Sequence, residues 1–207
     1  MRIGITMRVT NNETYPEVRD ALSADWSQYI NKIMPEATLV PLLNEPKNVI
    51  RTMKELKLDG VILSNGNDWG EAKNRDETEK KVVDYCLKNR LPVLGVCRGF
   101  YVLNILLGGK FDKNISGKIG ENHAGTVHQV EINGKIVNVN SYHNHGVLIG
   151  SLAPELKVLA KTKSGLVEAF YHPKKSILAM QWHPERKSPD EKFTKTLDAL
   201  IKDFFKR

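Results

Sequence analysis

The sequence predicts one α/β domain, residues 1–207, in which a mostly parallel central sheet is flanked by helices and joined to a smaller antiparallel hairpin region. In the first half, strand-like runs alternate with helix-like stretches, and the strands are apolar almost throughout. That pattern is expected when helices cover both faces of a parallel sheet. In the second half, strands with alternating polar and apolar residues follow one another without helices, which is typical of antiparallel pairs.

The first half contains four predicted strands and four predicted helices. The strands are expected at 2–6, 37–43, 59–66 and 91–96. The helices are expected at 15–35, 45–57, 76–90 and 99–107. Pro46 suits the first turn of the second helix, and Gly108 with Gly109 should end the fourth.

The second half opens with two alternating runs within 126–141, joined by Asn133 and Gly134, a strong signal for a tight hairpin. Further strands are expected at 156–162, 166–172 and 176–183. A helix is expected at 188–207, with Ser188 as N-cap, Pro189 at the first helical position and Glu191 completing a capping box. Its predicted apolar stripe is Phe193, Leu197, Leu200, Ile201 and Phe204.

Composition and charge exclude several classes of protein. The net charge is +7, but basic residues are mixed with acidic ones along the predicted helices, so nucleic-acid binding is not expected. No apolar run approaches the roughly 18 residues of a membrane span, and the first residues lack a signal-peptide core. Two cysteines are too few for a disulfide framework, which predicts a cytoplasmic location. The histidines lack the spacing of a metal site, and neither a metal nor a cofactor is expected.

Cys97 lies between Gly95 and Gly99 in the stretch "GVCRGF", where a predicted strand meets a predicted helix. This is the pattern of a nucleophile elbow with sulfur in place of oxygen. Such a turn presents the thiol at the carboxyl edge of the sheet, and the following helix N-terminus favours the thiolate. The Arg98 amide would then point toward an oxyanion. Cys86, inside an amphipathic helix, is expected to be a buried structural residue.

A cysteine nucleophile needs a base, and the base needs an orienting group. His183, in "QWHPE", follows an apolar strand, and Glu185 is close enough in the chain to accept from one imidazole nitrogen. Gly66, in "LSNGND", ends another strand in a turn where backbone amides can approach a ligand. If the two strands are neighbours, the Gly66 amide can supply a second oxyanion donor, although a simple turn is an equal alternative.

With "LSNGND", "GVCRGF" and "QWHPE" in this order, the chain resembles the class I glutamine amidotransferase superfamily, in its branch of free-standing γ-glutamyl hydrolases, the peptidase C26 group. The resemblance covers nearly the whole chain and implies a flavodoxin-type fold. It implies a catalytic triad of Cys97, His183 and Glu185. It also implies an oxyanion hole formed by the backbone amides of Gly66 and Arg98.

The resemblance also implies substrate contacts in "NSYHNHG". The residues that it places on the substrate are Ser141, His143, Asn144, His145, Gly146 and Val147. Many relatives carry glutamine four residues after the nucleophile, where it helps to hold the glutamyl group. Here that position is Tyr101, which either flanks a leaving group or packs in the core. This departure puts the identity of the substrate in doubt.

These residues favour a hydrolase that cleaves a γ-glutamyl amide through a thioester on Cys97 and releases glutamate. The leaving group stays open between a γ-glutamylated amine, a small amino acid and a γ-glutamyl phosphoramidate nucleotide of the kind found in bacterial capsule pathways. One alternative is a glutaminase subunit that supplies ammonia to a separate synthetase partner. Another is a binding or redox-sensing protein without turnover. The expected partner is a small-molecule substrate, with no membrane contact, and a homodimer is left open.

Overall fold

The computed structural model describes residues 1–206 and contains twelve strands and six α-helices over that range. The strands are β1 Arg2–Thr6, β2 Arg8–Asn11, β3 Val18–Ala21, β4 Thr38–Leu42, β5 Gly60–Leu63, β6 Val93–Val96, β7 Ala124–Ile132, β8 Lys135–Tyr142, β9 Val147–Leu148, β10 Lys157–Lys161, β11 Leu166–Tyr171 and β12 Ile177–Met180. The helices are α1 Ala24–Ile33, α2 Val49–Glu55, α3 Lys73–Asn89, α4 Arg98–Leu106, α5 Ile115–Ile119 and α6 Glu191–Phe205.

Ten of the strands form one mixed sheet in the order β4-β1-β5-β6-β12-β11-β10-β7-β8, with β9 paired to β11. The first five in this order are parallel. Taken by themselves in chain order they run 2-1-3-4-5, the flavodoxin-like arrangement. β5, β6 and β12 are buried along their whole length, which explains why their sequences are continuously apolar. The predicted fold class is confirmed.

The rest of the sheet is antiparallel and includes the predicted hairpin of β7 and β8, which turns at Asn133 and Gly134. Both turn residues have positive φ, as a two-residue hairpin loop requires. A bulge at Gly125 interrupts the pairing near the start of β7. β9 then carries the chain back to β11, where Val147 pairs with Val167. This return places the segment after β8 beside the parallel half of the sheet.

The predicted helix at 15–35 is wrong over its first third. β2 and β3 form a separate two-stranded sheet, in which Arg8 pairs with Ala21 and Asn11 with Val18. Pro16 explains why the helix cannot begin there, because proline disfavours the helical conformation in the residue before it. The helix starts only after Ser23, whose side chain accepts a hydrogen bond from the Asp25 amide.

The two other predicted helix starts also need correction. α2 begins at Val49, so Pro46 lies in the preceding turn rather than in the first helical turn. The N-cap of α6 is Asp190 and not Ser188, because the Asp190 carboxylate accepts from the Phe193 amide at 2.9 Å.

The buried stripe of α6 also differs from the expected one. Its buried residues are Phe193, Leu197, Ile201 and Phe205. Leu200 is exposed, and Phe205 is buried although the sequence pattern favoured Phe204. Arg207, the last residue of the predicted helix, lies outside the described residues. Across 1–206, none of the helices is long and apolar enough to span a bilayer.

Candidate active site

Three neighbouring parallel strands, β5, β6 and β12, end at the same edge of the sheet. Their last residues are followed by the three segments that the sequence analysis singled out, around Gly66, Cys97 and His183. The pairing of β12 with β6 continues into the turn, since the Cys97 amide donates to the Met180 carbonyl at 2.9 Å. The carboxyl edge of an open parallel sheet is where ligands bind in such folds.

The backbone at Cys97 is strained, with φ +53° and ψ −99°. A side chain other than glycine seldom adopts positive φ, and such strain persists only where the surroundings fix it. A Cβ at Gly95 would lie 2.6 Å from the Gly99 carbonyl oxygen, and one at Gly99 would collide with the Leu63 carbonyl. Both glycines are therefore needed for the chain to turn this sharply. The turn has the geometry expected of a nucleophile elbow.

His183 and Glu185 are both buried, and His183 Nδ1 lies 2.7 Å from Glu185 Oε1. This hydrogen bond places a proton on Nδ1 and leaves Nε2 for the sulfur. Asn140 of β8 fixes the backbone of His183 from both sides. Its Oδ1 accepts from the His183 amide at 2.9 Å, and its Nδ2 donates to the His183 carbonyl at 2.9 Å. The imidazole is thus held by its ring and by its main chain.

The electrostatic surroundings of His183 favour the imidazolium. Burial works to lower the pKa of His183, but the charge of Cys97 and hydrogen bonds to Cys97 and Glu185 outweigh it and raise that pKa to about 9. Cys86 differs, because burial alone raises its pKa to about 12. The structure therefore confirms that Cys86 is a buried residue, apart from the site.

A cavity of about 320 Å³ lies at this edge of the sheet. It is lined by Arg8, Asn65, Gly66, Asn67, Asp68, Cys97, Arg98, Tyr101, Tyr142, His143, Asn144, His145, Gln181, His183 and Arg186. Cys97 and His183, remote in the sequence, therefore face one space. Glu185 lies behind His183 and reaches the cavity only through it.

The turn after β5 is held by a buried arginine of α3. The Arg75 guanidinium donates to the carbonyls of Ser64 at 3.0 Å, Asn65 at 3.0 Å and Gly66 at 2.5 Å. With these three carbonyls fixed, the peptide groups of the turn cannot rotate freely. Gly66 has φ +82°, a conformation that glycine adopts without strain.

The same arginine belongs to an ion network beneath the nucleophile. Glu79, fully buried, bonds Arg75 at 3.0 Å and also contacts the Arg98 guanidinium. Arg98 makes a further bond to Asp76 at 2.5 Å. Burial alone would raise the pKa of Glu79, but Arg98 and Arg75 outweigh it and lower that pKa. The residue after Cys97 is thereby tied to the helix that also positions Gly66.

The residues expected on the substrate side divide into two groups. His143, Asn144, His145 and Tyr101 line the cavity. The remaining three, Ser141, Gly146 and Val147, are buried and are not among the lining residues.

The position of these three follows from their contacts. The Ser141 hydroxyl donates to the His123 carbonyl at 2.5 Å. Gly146 forms a bridge with Asp112, and Val147 belongs to β9. Tyr101 stacks on Phe111 with ring centroids 4.6 Å apart, and on His145 at 5.2 Å.

Sequence reasoning missed two sets of residues. Arg8 and Arg186 line the cavity and give it cationic walls. His123, His128, His143 and Glu168 form a second cluster of potential metal ligands, although no metal site was expected. Burial lowers the pKa of His143 to about 4 and also lowers that of His123. Counting outward from Asn133 and Gly134 would have paired His123 with His143, but the approach of Glu168 depends on the long-range pairing of β9 with β11.

Comparison with known proteins agrees with this geometry. The model of the family described as peptidase C26 matches residues 2–185. A γ-glutamyl-CDP-amidate hydrolase of Campylobacter jejuni is 34% identical over 195 residues, which cover 91% of this chain and 92% of that protein. The glutamine-hydrolysing component of GMP synthase from Methanocaldococcus jannaschii is 31% identical over 160 residues, covering 75% and 74%. A glutamine amidotransferase structure from Thermotoga maritima superposes with a TM-score of 0.70 at 16% identity, covering 100% and 96%.

Proposed function

This chain belongs to the peptidase C26 family, and we propose that it hydrolyses a γ-glutamyl amide through a γ-glutamyl thioester on Cys97. The observation that carries the proposal is that the Cys97 side chain and the imidazole of His183 face one cavity, while Glu185 accepts from that imidazole. This is the arrangement that covalent catalysis by a weakly acidic nucleophile needs. The hydrolase relative supports the same reaction class.

In the first half of the reaction, the Cys97 thiolate attacks the γ-carbonyl carbon and a carbon–sulfur bond forms. The carbonyl oxygen becomes an oxyanion, toward which the amides of Gly66 and Arg98 donate. The tetrahedral intermediate collapses, the carbon–nitrogen bond breaks, and the His183 imidazolium gives its proton to the departing nitrogen. Glu185 stabilises the imidazolium before that transfer.

In the second half, neutral His183 accepts a proton from water as the water oxygen attacks the thioester carbon. The carbon–sulfur bond then breaks, glutamate leaves, and the thiolate–imidazolium pair is restored. The proton given to the amine is thus replaced from water, and the cycle needs no other reactant. Removing one oxyanion donor in such a site costs on the order of 10²–10³ in kcat.

We propose a leaving group that carries phosphate. Arg8 and Arg186 line the cavity on the side where it adjoins a second cavity of about 440 Å³, which they also line. This second cavity reaches Ser23 and Thr10, next to the β2–β3 hairpin. Two guanidinium groups between adjoining cavities suit a phosphate whose glutamyl side lies over Cys97 and whose nucleoside extends outward. The name of the Campylobacter relative describes a substrate of this form.

A glutaminase activity is the second candidate. Its support is the similarity to the component of GMP synthase that is described as glutamine-hydrolysing. Under this alternative the leaving group is ammonia, and a separate synthetase would receive it. Tyr101, stacked between Phe111 and His145 at the cavity wall, marks the departure that weakens this alternative.

Glutamate release from three substrates tests the proposal: γ-glutamyl-CDP-amidate, a γ-glutamyl amine without phosphate, and glutamine. We expect turnover of the CDP-amidate by the protein alone. Substituting Arg186→Met should raise KM for the CDP-amidate by about tenfold or more and leave the neutral amine unaffected, because a charge-assisted bond contributes roughly 1.5–3 kcal/mol. Glutamate formed from glutamine only when another protein is added would favour the glutaminase. No release from any of the three would reject the hydrolase.

The pH profile should report the imidazolium of His183. Its pKa is raised to about 9, so protonated His183 persists below that pH, and kcat/KM should fall as pH rises through about 9. In Glu185→Gln the anionic acceptor is lost, and the descending limb should move to lower pH by roughly 1–2 units. Glu191→Gln, at an exposed position of α6, is the matched control and should keep the wild-type profile. An unchanged descending limb in Glu185→Gln would exclude this role of the carboxylate.

A further inference from the structure

Three histidines and one glutamate converge beside the hairpin of β7 and β8. They are His123, His128, His143 and Glu168, and one potential ligand atom from each lies within 4.8 Å of the others. His128 Nε2 is 3.4 Å from Glu168 Oε2, and His143 Nε2 is 3.7 Å from Glu168 Oε1. None of the roles assigned above to Cys97, His183 and Glu185 uses this cluster.

The strand geometry explains why these side chains share one side of the hairpin. His143 lies opposite His123, whose carbonyl accepts from the His143 amide at 3.2 Å. Along an unbroken strand, residues 123 and 128 would point to opposite faces, because side chains alternate. The bulge at Gly125 adds one residue to that strand and reverses the alternation. His123 and His128 therefore turn to the same side.

The polar atoms of the cluster have no hydrogen-bond partners among residues 1–206. This holds for both carboxylate oxygens of Glu168 and for both ring nitrogens of His123 and His128. Glu168 is fully buried, and the His123 and His143 side chains are only 1% exposed. A buried carboxylate without a donor is strongly unfavourable, so the arrangement calls for a cation that completes it.

His143 is already oriented as a metal-binding histidine would be. Its Nδ1 donates to the His145 carbonyl at 2.8 Å, which leaves the Nε2 lone pair directed at Glu168. A ring nitrogen held by a backbone carbonyl, with the other nitrogen free, is the usual arrangement behind a metal ligand. A lone pair that faces a carboxylate is repelled unless a positive charge lies between them.

We propose that His123, His128, His143 and Glu168 bind one zinc ion. Imidazole nitrogen and carboxylate oxygen are both zinc ligands, and four protein ligands without an open position are typical of structural zinc sites. Zinc–ligand bonds of about 2.0–2.1 Å place tetrahedral ligands about 3.4 Å apart. The two measured separations to Glu168 are close to that value, and the wider ones need only side-chain adjustment. His128, 13% exposed, provides the route from solvent.

The ion would fasten the hairpin to β11, since three ligands come from the hairpin and its flanks and the fourth from β11. It would also fix one wall of the candidate active site, because His143 lines that cavity. The reacting groups are separate residues, so the zinc site does not depend on the proposed hydrolysis and can be tested without it.

Zinc binding is tested on the full chain carrying Cys97→Ala, which removes the thiolate as a competing ligand. The chelator-treated protein is titrated with Zn²⁺ against a chromophoric chelator, and its metal content is measured after gel filtration. We expect one zinc per chain, a Kd tighter than about 1 μM and a higher Tm with zinc than without. Co²⁺ in place of zinc should give the intense visible bands of a tetrahedral site without a cobalt–sulfur band.

The matched variants are His128→Gln and His172→Gln. His172 is also a buried histidine, but it pairs with Glu155 away from the cluster. His128→Gln should weaken zinc binding by at least about 100-fold and abolish the rise in Tm, whereas His172→Gln should bind zinc as the parent does. Equal zinc binding by the two variants would overturn the assignment. If His128→Gln does not fold, absence of both stoichiometric zinc and tetrahedral cobalt bands from the parent overturns it instead.

Discussion

Replacing Cys97 with alanine is expected to abolish hydrolysis of every γ-glutamyl substrate, with a loss in kcat on the order of 10⁶-fold. The proposed reaction has no second route, because the γ-glutamyl group must be bonded to sulfur before water can release it. Cys97→Ser should be nearly as inactive, since a hydroxyl is far less readily ionised by His183 than a thiol. Released glutamate, followed over hours at high protein concentration, measures the loss.

Cys86→Ala is the control for this experiment. Cys86 is buried in α3 and away from the cavity, so its removal should lower stability modestly and leave kcat unchanged. Mass spectrometry of the acid-quenched parent protein should also show an added γ-glutamyl group, and Cys97→Ala should not carry it. Full hydrolysis by Cys97→Ala would refute the mechanism.

The second large effect is expected from Gly66→Ala, with kcat lowered by about 10²–10³ and KM changed little. At φ +82° an alanine is strained, and its Cβ would lie 3.2 Å from the Cβ of Arg8. The turn must rotate to relieve both, which moves the Gly66 amide away from the developing oxyanion. An interaction made only in the transition state lowers kcat rather than raising KM when it is lost.

Gly108→Ala separates this effect from simple backbone strain. Gly108 has φ +93°, and its added Cβ would meet no atom within 4 Å. It follows α4 at the end remote from Cys97. Both variants should lose stability of roughly 1–2 kcal/mol, from a positive φ in an L-residue, which thermal unfolding measures. If Gly108→Ala lost as much activity as Gly66→Ala, the Gly66 amide would have no special role.

Much of the fold could be predicted because its signals are local. Continuous apolar runs identify the buried parallel strands, and Asn133 with Gly134 identifies the hairpin. The β2–β3 pair was not predicted, since its residues are polar and mixed and its pairing depends on contacts such as that of Asp20 with Asn44 at 2.6 Å. The cap of α6 at Asp190 instead of Ser188 shows that adjacent capping residues compete, and sequence does not rank them.

The candidate site divides in the same way. Cys97 between two glycines and His183 before Glu185 are local patterns, so their shared cavity could be expected once the strands were placed. Arg75 gives no such signal, because only the folded chain brings its guanidinium to three carbonyls of the next turn. The histidine cluster requires both a one-residue bulge and a distant strand pairing, and neither can be read from residue spacing.

The strained turn at Cys97 limits how this protein can be made more robust. A positive φ with a side chain attached costs on the order of 1–3 kcal/mol, and close packing around Gly95 and Gly99 holds the turn in place. Laboratory selection for heat resistance alone would therefore reward changes that let this turn relax, and those changes would withdraw the sulfur from its reactive position. Durable variants that still work should carry their improvements elsewhere, for example on the exposed faces of the outer helices.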